Sequence, residues 1–288
     1  MTDRFSITNT LNESASPTLS FEFFPPKDET GWETLKNSVT ELQSLSPDFV
    51  SITYGAMGSN QDASIAVVEH VAPLIPTIAH LTCIGSKRAQ IQALLNKYSV
   101  AGVAGILALR GDLPQGLTNF PESDFSYALD LVELVSESTN FEVGVAAFPE
   151  RHPESSSLDE DVRILLLKQK AGASFAMTQL FFDVRAYTDL VVRARAAGVT
   201  IPIVPGVMPI ANAKQVLRMA AMSGAHVPNE LQIKLETAED EVVARAIGME
   251  FSAELVRELA DAGSPGIHIF TLNHHKAATE LVVAAGLA

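Results

Sequence analysis

The chain has 288 residues, 47% hydrophobic and 19% charged, an ordinary globular composition that suits two average domains or one α/β barrel of about 250 residues. Twenty basic residues against 34 acidic ones give a net charge of −14, which argues against nonspecific nucleic-acid binding, since that rests on neutralising phosphates with Lys and Arg. One cysteine, Cys83, excludes an internal disulfide, no run of about 18 apolar residues could cross a membrane, and the polar N-terminus lacks the apolar stretch of a signal peptide, so a cytoplasmic protein is expected.

Residues 1–17 are rich in Ser, Thr and Asn and read as a flexible arm ahead of one catalytic domain, 18–288. From there, short apolar runs alternate with amphipathic stretches. LSFEFF (19–24) is strand-like and stops at Pro25-Pro26, which cannot donate ladder hydrogen bonds. A helix is predicted near 31–45, a strand at 48–54, a helix near 61–73, a strand at 77–83 and a helix near 86–99. Strands at 102–109, 141–148, 173–182 and 201–207 precede helices near 124–138, 158–171, 184–197 and 211–223. The last strand, 266–272, leads into a closing helix near 274–285. Eight strand–helix units imply a parallel sheet with helices outside, and nearly all-apolar strands suit burial on both faces. Eight units favour a closed (β/α)8 barrel, a TIM barrel in a single domain, over an open sheet. The segments PNELQIKLE and AEDEVVARAIGMEFSAELVREL read as extra helices inserted before the last strand.

In such barrels the active site lies at the C-terminal ends of the strands. Polar residues gather there: Glu22 in the first strand, Thr53 and Tyr54 after the second, His80 and Thr82 in the third. Arg110-Gly111-Asp112 follow the fourth, Phe148, Glu150 and His152 the fifth, and Thr178 and Gln179 lie in the sixth. A side-chain period of two puts Phe21 and Phe23 on one face and Glu22 on the other, towards the barrel interior. A carboxyl there must be paired or protonated. Burial raises a carboxyl pKa, which is what a general acid needs near neutral pH. A paired structural carboxylate is the alternative for Glu22, and a solvated turn the alternative for Arg110–Asp112.

The chain has no G-x-G-x-x-G after a strand, no P-loop, no H-E-x-x-H and no cysteine pair, so neither a Rossmann cofactor domain nor a metal centre is expected. Cys83, at an apolar strand end, reads as a small core residue.

Eight strings in order carry a resemblance: S-F-E-F-F-P-P-K (20–27), S-I-T-Y-G-A (51–56), H-L-T-C (80–83), A-L-R-G-D-L-P (108–114), A-A-F-P-E-R-H-P-E (146–154), A-G-A-S-F-A-M-T-Q-L-F-F-D (171–183), P-G-V-M-P (205–209) and F-T-L-N (270–273). Together they resemble the methylenetetrahydrofolate reductases, in the length of the bacterial type. The resemblance implies FAD across the barrel mouth, held by Tyr54, Ala56, His80, Arg110, Gly111, Asp112, Ala128, Phe148, His152, Asp161 and Lys168. It implies substrate contacts from Asp112, Gln179, Gln215, Phe270 and His274, with Thr53 also touching the nicotinamide cofactor or folate. Glu22 matches the acid that protonates N10 of 5,10-methylenetetrahydrofolate, Asp112 would bind the pterin, and reduced flavin N5 would deliver hydride to the methylene carbon. NADH or NADPH and the folate would use one flavin face in turn. A homo-oligomer is expected, with no nucleic-acid or membrane partner.

Some positions depart from the family pattern. Ile164 and Leu167 stand where an Asn and an Arg are common beside the FAD phosphates and adenosine. Phe148 and Phe270 replace tyrosines, His274 an arginine that would face the folate tail, and Met219 an aromatic. Arg163, Lys214 and Arg218 lie near these regions. A related flavin barrel oxidising methyltetrahydrofolate or proline, or a non-catalytic folate- or flavin-binding subunit, stays open as an alternative.

Overall fold

Alternation within the first strand builds the barrel wall. In β1 (Thr18–Phe23) every residue is buried, but on two different sides. Leu19, Phe21 and Phe23 join the large core under the helices, while Ser20 and Glu22 face inward. A computed structural model describes residues 5–54, 61–112 and 122–288. The wall continues through β2 (Phe49–Ile52), β3 (Thr77–Thr82), β4 (Gly105–Leu109), β5 (Glu142–Ala147), β6 (Phe175–Thr178), β7 (Ile203–Val204), β8 (Gly206–Val207) and β9 (Gly266–Phe270). All pairings are parallel, in the order β7-β6-β5-β4-β3-β2-β1-β9-β8.

The seventh predicted strand is thus two short pieces separated by Pro205. Proline has no N–H to give a ladder. Its carbonyl still accepts from the His268 N–H at 3.0 Å. β7 pairs with β6 and β8 with β9, so the split segment closes the ring into a TIM-type barrel. The sixth strand is also shorter than the predicted 173–182. Past Thr178 the Gln179 side chain accepts from the Leu180 N–H at 2.8 Å, which takes that donor out of the ladder. Leu180 and Phe182 then turn into a separate cluster with Met208, Val216 and Leu231.

Outside the barrel lie α2 (Glu29–Gln43), α3 (Gln61–Val71), α4 (Arg88–Val100), α5 (Ala128–Ser138), α6 (Leu158–Lys170), α7 (Val184–Ala196) and α8 (Ala213–Ser223). α9 (Asn229–Glu236) and α10 (Glu241–Asp261) are the inserted helices before the last strand, and α11 (His275–Ala285) closes the chain. Short polar side chains start several of them. Asp28, Ser157, Asp183, Asn212 and Asp240 each accept a backbone N–H of the first turn, which leaves one fewer donor without a partner. No helix among the described residues is long and apolar enough to cross a membrane.

Within the segment expected to be a flexible arm, residues 7–13 are ordered and packed. Residues Ile7–Glu13 form a helix, α1, with Ile7 fully buried. It seals the N-terminal end of the barrel against Phe49, Ile78, Leu107 and Phe175. Two features hold it there. Glu142 accepts the backbone N–H groups of Ile7 and Thr8 at 3.0 and 2.7 Å, together with the Thr8 hydroxyl. Gly105 leaves the room: a Cβ there would stand 2.6 Å from Ile7 Cδ1. The polar composition of the segment concealed the two apolar residues, Ile7 and Leu11, that one helical turn brings to one side.

Candidate active site

The barrel interior is polar on one side. Ser20 and His268 are register partners on β1 and β9, as are Glu22 and Ser51 on β1 and β2. Ser20 Oγ lies 2.9 Å from His268 Nδ1, and Ser51 Oγ 3.1 Å from His268 Nε2. Above them, Glu22 Oε2 is 3.5 Å from His80 Nε2 and 3.7 Å from His268 Nε2. His80 Nε2 is buried and has no hydrogen-bond partner. Burial pushes the His80 pKa down to about 4; the Glu22 carboxylate opposes this and His268 adds to it. His80 is therefore a neutral imidazole near pH 7.

The end of β1 is fastened by the T-L-N string. The Thr271 hydroxyl donates to the Glu22 carbonyl at 2.6 Å. Asn273 grips the next peptide twice: its Oδ1 accepts from the Phe24 N–H and its Nδ2 donates to the Phe24 carbonyl, each at 2.8 Å. Asn273 holds φ 60° to do so, a left-handed conformation that Asn tolerates better than most residues. These are structural roles that the motif alone did not reveal.

Past the C-terminal ends of β4 and β5 opens a cavity of about 480 Å³, within the usual range of small-molecule sites. Arg110, Ala128, Phe148, His152, Asp161 and Lys168, which the sequence offers as cofactor contacts, all line it. The wall between them is apolar, from Ala147, Ile164, Leu165, Leu167 and Leu190. Phe148 meets His152 edge-on at 4.7 Å, and the Asp161 carboxylate accepts the His152 N–H at 3.0 Å. Lys168 is half-buried and has no ion-pair partner among the described residues; desolvation draws its pKa down to about 8, against the pull of Asp161. Arg110 reaches Glu154 through two bonds, 2.6 and 2.7 Å, and this guanidinium holds the Glu154 carboxyl below the usual carboxylate range. Glu154 ends the A-A-F-P-E-R-H-P-E string, and nothing in that string marks it as an ion-pair partner. Its partner is 44 residues away, beyond any local pattern.

Gly111 takes φ 92°, and a Cβ there would lie 2.8 Å from Ile84 Cγ2, so the turn after β4 requires glycine. Asp112 follows it, exposed. Thr53 caps the wall, its N–H and hydroxyl both donating to the Phe23 carbonyl at 2.9 and 3.2 Å. Tyr54 lines a second cavity of about 420 Å³ with Thr82, Ser86 and Gln90, and burial raises its pKa. Gln179 borders a small recess with Phe148 and Arg151. Phe270 stands edge-on to His268 at 5.6 Å. Gln215, in the first turn of α8, and the exposed His274, which precedes α11, line none of these cavities. Ala56 and the Leu113-Pro114 end of the fourth string lie outside the described residues. Cys83 is buried and its thiol is pushed up to about 12, so it packs and does not react.

A parallel barrel with a buried carboxyl, a neutral imidazole and a partly cationic cavity at one end is a β/α-barrel enzyme in architecture. The methylenetetrahydrofolate reductase family description matches residues 7–286, and the chain belongs to that family of oxidoreductases. It is 38% identical over 258 residues to the 5,10-methylenetetrahydrofolate reductase of Salmonella typhimurium, covering 88% of this chain and 86% of that protein. It is 36% identical to methylenetetrahydrofolate reductase (NADH) 1 of Arabidopsis thaliana, covering 96% of this chain and 50% of that one. A solved protein from Clostridium thermocellum, described as uncharacterized and binding two copies of 5-methyl-5,6,7,8-tetrahydrofolic acid, shares the fold. Its TM-score is 0.66 at 19% identity over 96% of both chains.

Proposed function

We propose that this chain reduces 5,10-methylenetetrahydrofolate to 5-methyltetrahydrofolate, with FAD as cofactor and NADH or NADPH as the source of hydride. The observation that carries the reading is Glu22: a buried carboxyl on the inner wall at the mouth, facing a histidine nitrogen with no other partner. Opening the five-membered folate ring needs a proton on a weakly basic nitrogen. Glu22 donates it: its O–H bond breaks, an N10–H bond forms, and the bond from N10 to the methylene carbon breaks with its electron pair left on N10. General acid catalysis of this kind is typically worth about 10²–10⁴-fold.

The cavity residues fit a flavin dinucleotide. Lys168 and Arg110 are cations suited to a diphosphate, and Phe148 and His152 offer ring faces. Ile164 and Leu167 replace polar partners with an apolar shelf that suits an adenine face. Bound FAD would accept hydride from the nicotinamide and pass it to the folate methylene carbon. Asp112, exposed at the mouth, can accept hydrogen bonds from the pterin N–H groups, and Gln179, Gln215, Phe270 and His274 complete the proposed folate contacts. The two substrates use the site in turn.

The test is the visible spectrum of purified protein supplied with FAD under anaerobic conditions. The flavin band should bleach with NADH or NADPH and return with 5,10-methylenetetrahydrofolate. A folded protein that takes up no flavin, or a reduced flavin that the folate does not reoxidise, overturns the reading.

A further inference from the structure

Beneath the Glu22 carboxyl lies a second polar layer that ring opening leaves without a task. His268 is 1% exposed, and Ser20 and Ser51 are fully buried. Both His268 ring nitrogens are engaged, Nδ1 by Ser20 Oγ at 2.9 Å and Nε2 by Ser51 Oγ at 3.1 Å. A hydroxyl can donate or accept, so this pair satisfies either tautomer of the ring. Among the described residues, the titratable groups facing Glu22 are His80 from β3 and His268 from β9; β2 presents the neutral hydroxyl of Ser51.

We infer that His268, clamped by Ser20 and Ser51, is a positioning residue that sets how readily Glu22 gives up its proton. The inference rests on the assignment of Glu22 as the acid. Once the proton has gone, a carboxylate is left inside the barrel, where a charge without hydrogen-bond donors is costly. With Ser20 donating to Nδ1, the His268 Nε2–H points to the side where both Ser51 Oγ and Glu22 Oε2 lie. It can turn to the carboxylate as the charge develops. His80 adds a neutral dipole from the other side, because burial keeps it uncharged near pH 7.

The experiment follows reoxidation of the pre-reduced FAD holoenzyme by 5,10-methylenetetrahydrofolate in stopped flow across pH. Its variants are His268→Leu, His268→Asn, Ser51→Ala and Glu22→Gln. Without the donor the Glu22 acid becomes weaker. His268→Leu should slow the step about tenfold at neutral pH and move its alkaline limb up by about one pH unit, the matching shift. Ser51→Ala should move the limb the same way by less, and His268→Asn, which keeps an N–H, should recover part of the loss. Flavin reduction by NADH should stay within about twofold in all of them. Phe270 packs edge-on against His268, so Ser51→Ala also serves as the variant that leaves that contact in place and decides the matter if His268→Leu does not fold. An alkaline limb unmoved in the variants that fold overturns the inference. Folate reoxidation at the wild-type rate in Glu22→Gln overturns the acid assignment instead.

Discussion

The two sides of the barrel interior are built by the same alternation and do opposite things. β9, β1, β2 and β3 turn His268, Ser20, Glu22, Ser51 and His80 inward, whereas β4, β6 and β7 turn in Leu107, Phe175, Met177 and Val204, joined next to α1 by Phe49 of β2 and Ile78 of β3. On the apolar side each buried side chain stabilises the fold by about 1.5–3 kcal/mol relative to exposure. On the polar side every buried group must find a partner or cost stability, and His80 Nε2 has none. The difference teaches that the polar side is placed for chemistry and the apolar side for stability, and that the two should respond separately to substitution.

The largest expected separation is at Glu22. Glu22→Gln keeps the shape and removes the transferable proton, so folate reduction should fall by about 10²–10⁴-fold while flavin reduction by NADH and the melting temperature are kept. Half-reaction kinetics would show it, and equal loss in both half-reactions would mean that the polar side supports the fold after all. The converse change is Ile7→Ala under the apolar side. Removing a fully buried side chain from the seal should cost about 2–5 kcal/mol in denaturant unfolding, with turnover at low temperature retained. Lost turnover in a still-folded Ile7→Ala would break the comparison.

His80 sharpens it through pH. Its folded pKa lies near 4, below the ordinary value of 6.5, so the unfolded chain binds more protons between those two values and stability falls as the pH drops through that window. Between pH 7 and 5 this should remove about 2 kcal/mol. A His80→Gln protein should show a flatter profile in urea titrations; an unchanged slope would relocate the effect to other groups. The smallest effect is expected at Lys168. Lys168→Met should weaken FAD binding about tenfold, the scale of one ion pair to a phosphate. Wild-type affinity should decline as pH rises through about 8, where the ammonium discharges. Stability of the flavin-free protein should respond with the opposite sign, rising above pH 8, because the unfolded lysine keeps its proton to about 10.5. Fluorescence titration of FAD at pH 7 and 9 checks the first of these, and equal affinities would remove Lys168 from the diphosphate's partners.

Much of this was legible along the chain. Alternating apolar runs and amphipathic stretches define the barrel units. The period of two within S-F-E-F-F turns Glu22 away from Phe21 and Phe23, and PNELQIKLE and its successor form the inserted helices. The same period, applied to Ser51 in S-I-T-Y and His268 in G-I-H-I-F, would have turned both inward beside Glu22. Nothing local, however, says that they meet.

Local sequence determines which face a side chain takes and where an element starts and stops, because those depend on backbone geometry over a few residues. The partners were decided by the closed barrel. Ser20 meets His268 across 248 positions, Glu142 receives Ile7 across 135, and Arg110 meets Glu154 across 44. Closure is a property of the whole sheet, with β7 and β8 divided at Pro205 to join its two edges. Only that ring brings a helix from the polar N-terminus under the core and two histidines up to one carboxyl.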